Sequence, residues 1–169
     1  MCETRWTARH TTLEDVEELY PALLDTTQTI SESRTNEWSP KAVTEANGLY
    51  SQLTSSKFIT AFQFSRSIFT YTKPLAALLQ GTYMDLVYAY KKIDLVREQI
   101  QSIRLDDAQY SEIYMNCEKM ADEANVMITK PRTCNRQAHR GNIKSDTPKE
   151  HYKRNVFIPF VDCVISQLT

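Results

Sequence analysis

Apolar residues recur along this chain mostly at intervals of three and four, the spacing that places side chains on one face of an α-helix. Leu13, Val16, Tyr20, Leu23 and Leu24 form the first such run. Thr11 and Thr12 precede it as N-cap candidates, because a hydroxyl can accept a bond from an orphan helix amide. Glu14, Asp15, Glu17 and Glu18 suit the positive end of the same dipole. Pro21 interrupts the run and predicts a kink or a split. Residues 31–38 are polar and read as a loop. Ser39-Pro40, a hydroxyl cap followed by a first-turn proline, opens a second helix to about Leu53. Ser55 or Ser56 opens a third, carrying Phe58, Phe62 and Phe69 through about Tyr71.

The most regular pattern follows Pro74. Leu75, Leu79, Thr82, Leu86, Ala89, Ile93, Val96, Ile100 and Ile103 alternate spacings of four and three, a heptad-like seam. It predicts a long helix over 74–104, either as the central core of a bundle or as a self-associating coiled coil. Gly81 weakens it by about 1 kcal/mol relative to Ala and marks a point where it can break. Asp106 and Asp107 end one helix or cap the next, whose apolar face is Tyr110, Ile113, Tyr114, Cys117, Met120, Ala121 and Ala124. Periodicity stops between Met127 and Ser145. Thr147-Pro148-Lys149-Glu150 then supplies a capping box with proline at the first helical position. The last helix carries Val156, Phe157, Phe160, Val164, Ile165 and Leu168, bent near Pro159. The expected fold is therefore all-α: five to six helices around a long central one. A helical domain over 1–126, a basic linker over 127–146 and a C-terminal helix over 147–169 divide the chain.

Composition changes this picture little. The 169 residues suffice for one domain with a real core. A net charge of −1 selects no partner class, and three glycines are few for a β-rich or glycine-loop protein. Nine tyrosines against six phenylalanines make the chain tyrosine-rich. Cys2, Cys117, Cys134 and Cys163 lie far apart, which suits reduced thiols better than a disulfide framework. No apolar run approaches the roughly 20 residues of a membrane span.

Candidate chemistry is sparse. Lys130, Arg132, Arg136, Arg140 and Lys144 occupy the linker without an acidic residue among them. Five such charges read either as a solvated loop or as a phosphate-contacting segment with steep salt dependence. Cys134 and His139, with His151 and Cys163 further on, lack the paired spacing of structural zinc sites, so no metal is expected. Glu14, Glu17 and Glu18, and Asp106, Asp107 and Glu112, are carboxylate runs within helices rather than the converging set a two-metal site needs. Trp6, between Arg5 and Arg9, reads as an anchor on the helix that follows it.

Two blocks carry a family likeness. Residues 2–9 read Cys-Glu-Thr-Arg-Trp-Thr-Ala-Arg. Near the other end stand Pro131-Arg-Thr-Cys-Asn-Arg-Gln137, Asn142, the run Tyr152–Asp162 and Ile165-Ser-Gln-Leu168. Together they resemble the Arg-Trp motif and the return segment of hAT-superfamily transposases, in particular domesticated members of the zinc-finger MYM-type 1-like kind. The resemblance implies a helical insertion domain set into an RNase H-like core. Both catalytic Asp residues would then lie before Met1 and the Glu beyond Thr169. It implies no catalytic residue, cofactor or metal in this chain, whereas a full-length active relative would use Mg or Mn. It implies a nuclear location, with the cytosol as the alternative and secretion not expected. It implies weakly bound DNA and other subunits of a transposase-like oligomer as partners, with neither membrane nor small-molecule substrate. The implied nucleic-acid contacts are Arg5, Trp6, Arg9, Lys130, Arg132, Arg136, Arg140 and Lys144, with Trp6 able to stack on a base. Three functional expectations stand side by side: a non-catalytic remnant acting as a DNA- or protein-interaction module, the insertion domain of a longer active transposase, and a protein scaffold without DNA binding.

Overall fold

Side chains set most of the helix starts. The computed structural model describes residues 5–34, 37–81, 85–132 and 143–168, with side chains from Thr11 onward. Among these residues the helices are α1 (Arg5–Glu18), α2 (Tyr20–Glu32), α3 (Pro40–Leu53), α4 (Ser56–Leu79), α5 (Leu86–Leu105), α6 (Asp107–Glu123), α7 (Pro148–Tyr152), a π-helical turn (Lys153–Phe157) and α8 (Ile158–Gln167), with no strand. Ser39 accepts from the Ala42 amide and Ser55 from that of Phe58, both at 3.2 Å, as hydroxyl N-caps do. Asp106 caps α6 through the amides of Ala108 and Gln109. At α7, Thr147 accepts from Glu150 N–H, while the Glu150 carboxylate reaches back one residue further than a standard capping box, to Asp146 N–H. α6 ends in a Schellman motif: Asn125 takes φ 53°, Val126 N–H donates to Ala121 O and Asn125 N–H to Asp122 O.

Four sequence expectations need correction. The first helix begins at Arg5, not at Thr11 or Thr12, so neither threonine caps it. Pro21 does split the run, but as an early residue of α2, which continues to Glu32 and so takes in only the first two residues of the 31–38 segment expected as loop. The 74–104 helix is two helices. α4 runs through Pro74 and stops at Leu79, and Asp85 caps a new start through Val87 N–H at 2.9 Å. A Cβ on Gly81 would lie 3.2 Å from Leu78 O, so a residue without one suits this helix end. The seam register survives on α5 from Ala89 onward, with Ala89, Val96, Ile100 and Ile103 buried, while Leu79 and Leu86 are exposed. Near Pro159 the chain widens into a π turn instead of breaking. Ile158 N–H bonds to Lys153 O, and backbone angles stay helical across both junctions, so 148–167 runs as one helix. Proline clashes with the carbonyl four residues back, and the wider turn relieves that contact.

The central helix is thus α4, which packs against α1, α3, α5 and α6. Its Phe64 forms a triangle with Tyr110 of α6 and Phe157 of the π turn, ring centroids 5.1–6.1 Å apart. All three rings are buried in one cluster with Ile59, Ile68, Ile100, Cys117 and Val161. The tyrosine surplus has a structural use. The hydroxyls of Tyr20, Tyr110 and Tyr152 donate to the carbonyls of Leu53, Lys149 and Thr129 at 2.7–3.0 Å, each linking separate elements. Leu53 ends α3, where carbonyls lack intrahelical donors.

Candidate nucleic-acid interface

The described part of the linker is irregular but anchored. Thr129 N–H donates to Ser56 Oγ at 3.0 Å and Thr129 O accepts from Tyr152, so one foot sits on the start of α4. The other foot sits on the C-terminal helix: Ile143 N–H donates to Asn155 Oδ1 at 2.7 Å, and Asn155 Nδ2 donates to Ile143 O at 3.1 Å. Lys130 ties the feet together, its ammonium 3.0 Å from both Ser145 O and Asp146 O. The two described ends of the linker, around Thr129–Arg132 and Ile143–Asp146, therefore stand side by side. Beneath the second foot His151 is buried, its ring edge-on to Tyr152 and its Nδ1 3.4 Å from Asn155 Nδ2. Burial, with Lys130 close by, pushes its pKa below the ordinary histidine value, favouring the neutral ring.

The expected contacts fall into two groups that the fold holds apart. Lys130, Arg132 and Lys144 are exposed around the loop feet; Arg136 and Arg140 lie outside the described residues. Arg5, Trp6 and Arg9 belong to the first turns of α1, and their side chains lie outside the described set. α1 runs antiparallel to α4, since Glu17 meets Gln63 and Arg66 while Glu14 meets Lys73. The start of α1 therefore faces the far end of α4 from Ser56. The seventeen residues from Ser56 to Lys73 rise about 26 Å, so the start of α1 and the described linker ends stand well apart along α4.

Sequence reasoning missed the cations beside the loop feet. Lys149, Lys153 and Arg154 line a cleft of about 510 Å³ with Asp107, Ser111 and Glu150. Lys149 donates to Ser111 Oγ at 3.0 Å, Lys153 pairs with Asp107, and Arg154 pairs with Glu150. The Lys153 ammonium, hydrogen-bonded to Asp107, holds that carboxyl below its ordinary range. The signal was available in the sequence: residues 127–155 hold eight Lys and Arg against two Asp and Glu, a surplus of six. The remaining residues hold twelve against nineteen, a deficit of seven, so a net charge of −1 conceals two opposed regions.

Among the described residues no three His, Cys, Asp or Glu side chains gather to hold a metal ion. Cys134 and His139 lie outside those residues, Cys163 is exposed, and Cys117 is a buried thiol of the core. Among the helices described, none is long and apolar enough to cross a membrane.

Comparison with known proteins gives a likeness over the whole chain. It is 24% identical over 170 aligned residues to the human "52 kDa repressor of the inhibitor of the protein kinase". It is 25% identical over 171 to the mouse protein of the same name. Each alignment covers 99% of this chain and 22% of the relative, so the chain spans about a fifth of the length of the proteins it matches. Both relatives are named as repressors, and neither name states an enzymatic activity. No family model matches the chain. No solved structure matches it.

Proposed function

We propose that this chain is a non-catalytic interaction module of a regulatory protein descended from a hAT-type transposase, and that it contacts the nucleic-acid backbone through its basic loop. The observation that carries this reading is the segregated charge: a surplus of six in 127–155, shared between the linker, whose described ends are pinned together, and the helix that receives its second end. Phosphate contacts of this kind position a protein on nucleic acid without reading its sequence. The likeness to two repressors supports a regulatory role over an enzymatic one, and the name of those relatives is consistent with nuclear work. A longer protein containing this chain as the insertion domain of an active transposase is the second reading. The relatives' greater length accommodates the flanking core this reading requires, which would need Mg or Mn at carboxylates elsewhere.

Fluorescence anisotropy with labelled duplex DNA over a salt series tests the proposal. Replacing Arg132, Arg136 and Arg140 with Gln lowers affinity about equally across sequences and flattens the log–log salt slope by roughly 0.9 per phosphate no longer neutralised. A triple variant that binds as tightly as the parent, with the same slope, makes the loop a solvated connection and moves the scaffold reading ahead.

A further inference from the structure

We infer that the cleft between the start of α6 and the α7–π segment is a second phosphate-backbone site, with Lys149, Lys153 and Arg154 as its donors and Asp107 and Glu150 as built-in competitors for the incoming anion. The inference rests on the nucleic-acid reading above and extends it from the loop to the folded face beside it.

Three observations converge. The first is position: Lys149, Lys153 and Arg154 stand on the same helix as Asn155, which holds the loop's second foot, so loop and cleft share one end of the molecule. The second is preorganisation. The Lys149 ammonium is set by Ser111 and lies 5.9 Å from the centre of the Tyr114 ring, and Lys153 lies 5.3 Å from that of Tyr110. Held side chains lose less rotamer entropy when an anion arrives. The third is the state of the charges. Lys149 has a hydroxyl and a ring as neighbours rather than a carboxylate, while Lys153 and Arg154 are each paired with an acid that a phosphate must displace. Asp107, 87% exposed on its side chain, is the easier of the two to displace.

Charge complementarity selects the occupant. Eight cations against two acids across 127–155 suit a polyanion with repeated phosphates rather than an isolated carboxylate. Duplex DNA, duplex RNA and a single strand present the same phosphodiester chemistry, and the test separates them.

The experiment measures binding of the 169-residue chain to labelled duplex DNA, duplex RNA and single-stranded DNA over a salt series. Three variants accompany the parent: Lys149→Gln/Lys153→Gln/Arg154→Gln, Asp107→Asn, and the loop triple already described. The helix triple is expected to weaken binding roughly tenfold at low salt and to flatten the slope by about 0.9 for each phosphate it stops neutralising. Asp107→Asn is expected to do the opposite, tightening binding by about threefold, because it frees Lys153 for phosphate. If the loop triple loses affinity while both cleft variants bind as the parent does, the cleft inference fails and the loop proposal stands. If the parent does not bind any of the three nucleic acids, both fail. A phosphoserine peptide that binds the parent tightly while the nucleic acids do not would assign the cleft to a protein partner and overturn the inference. Should the helix triple melt at lower temperature than the parent, Asp107→Asn decides the matter alone, since an exposed carboxylate-to-amide change leaves the core intact.

Discussion

Asn155 holds Ile143 as a neighbouring strand would, its amide oxygen accepting the Ile143 N–H and its amide nitrogen donating to the Ile143 carbonyl. Nδ2 also donates to His151 O at 3.1 Å, so one side chain joins its own helix to the returning loop. Asn155→Ala should lower stability by about 1 kcal/mol, the usual net worth of such bonds. It should also speed amide exchange at Ile143 while leaving α2 and α3 unchanged. Unaltered exchange at Ile143 would mean that the loop foot is held by something else.

Acid should loosen the same corner. His151 has a pKa lowered by burial and by Lys130, so folding favours its neutral form. A lowered pKa contributes stability that is present above the unfolded value, near 6.5, and is lost as pH falls through the folded value. Urea midpoints measured from neutral pH down to about 5 should therefore fall in the parent and fall less in His151→Gln. Equal pH dependence in the two proteins would assign the acid loss to other groups.

Alkali acts in the opposite sense. Burial pushes Tyr20 and Tyr114 up to about 12 and raises Tyr110 and Tyr152 as well. A raised pKa contributes stability that is complete below the unfolded value, near 10, and is lost as pH climbs through the folded one. Tyrosinate absorbance should rise in two stages, the exposed phenols first and the buried ones only as the chain unfolds. One smooth transition at the ordinary tyrosine value would contradict the burial described for these rings.

On α5 the cost of a charge should follow burial. Ile100 is fully buried and Ile93 only partly, whereas Lys92 lies over the Tyr88 ring at the surface. Ile100→Asp should unfold the domain, Ile93→Asp should destabilise it by a few kcal/mol, and Lys92→Asp should shift the melting temperature little. Thermal melts followed by circular dichroism rank the three. Equal melting of Ile93→Asp and Lys92→Asp would show the helix turned differently on the core.

The ring triangle should be costlier to open than any single cap. Phe157→Ala removes a fully buried ring shared by Phe64 and Tyr110, and cavities of this kind cost about 3–5 kcal/mol. Asp106→Ala removes a cap from two α6 amides and should cost about 1 kcal/mol. Denaturant midpoints that reverse this order would place the strength of the fold outside the triangle.

Local chemistry was readable in the sequence, and long-range arrangement was not. Ser39-Pro40, Ser55, Pro21 and Thr147 act through neighbours within four residues, so their roles follow from the letters alone. The seam across Leu79 and Leu86 kept its phase over a connection that is not one helix, because periodicity records which face is apolar and not whether the chain is continuous. Asp85 was the missed sign, an ordinary capping residue placed just before a helix start. The candidate interface was half legible for the same reason. The linker cations read as one segment, while Lys149, Lys153 and Arg154, beginning only five residues further on, are passed over because they fall on a helix. The fold shows that this helix also receives the linker's second end.

The opposed charge regions mean that a net charge near zero does not make this chain electrostatically neutral in behaviour. Near its isoelectric point of about 6.3, such a chain should bind a cation exchanger with its basic end and an anion exchanger with its acidic remainder. In dilute salt, copies should line up head to tail and scatter more light than a monomer. Adding salt until the Debye length shrinks to about 10 Å should disperse them, so samples of this protein ought to be clearest in buffers of moderate ionic strength.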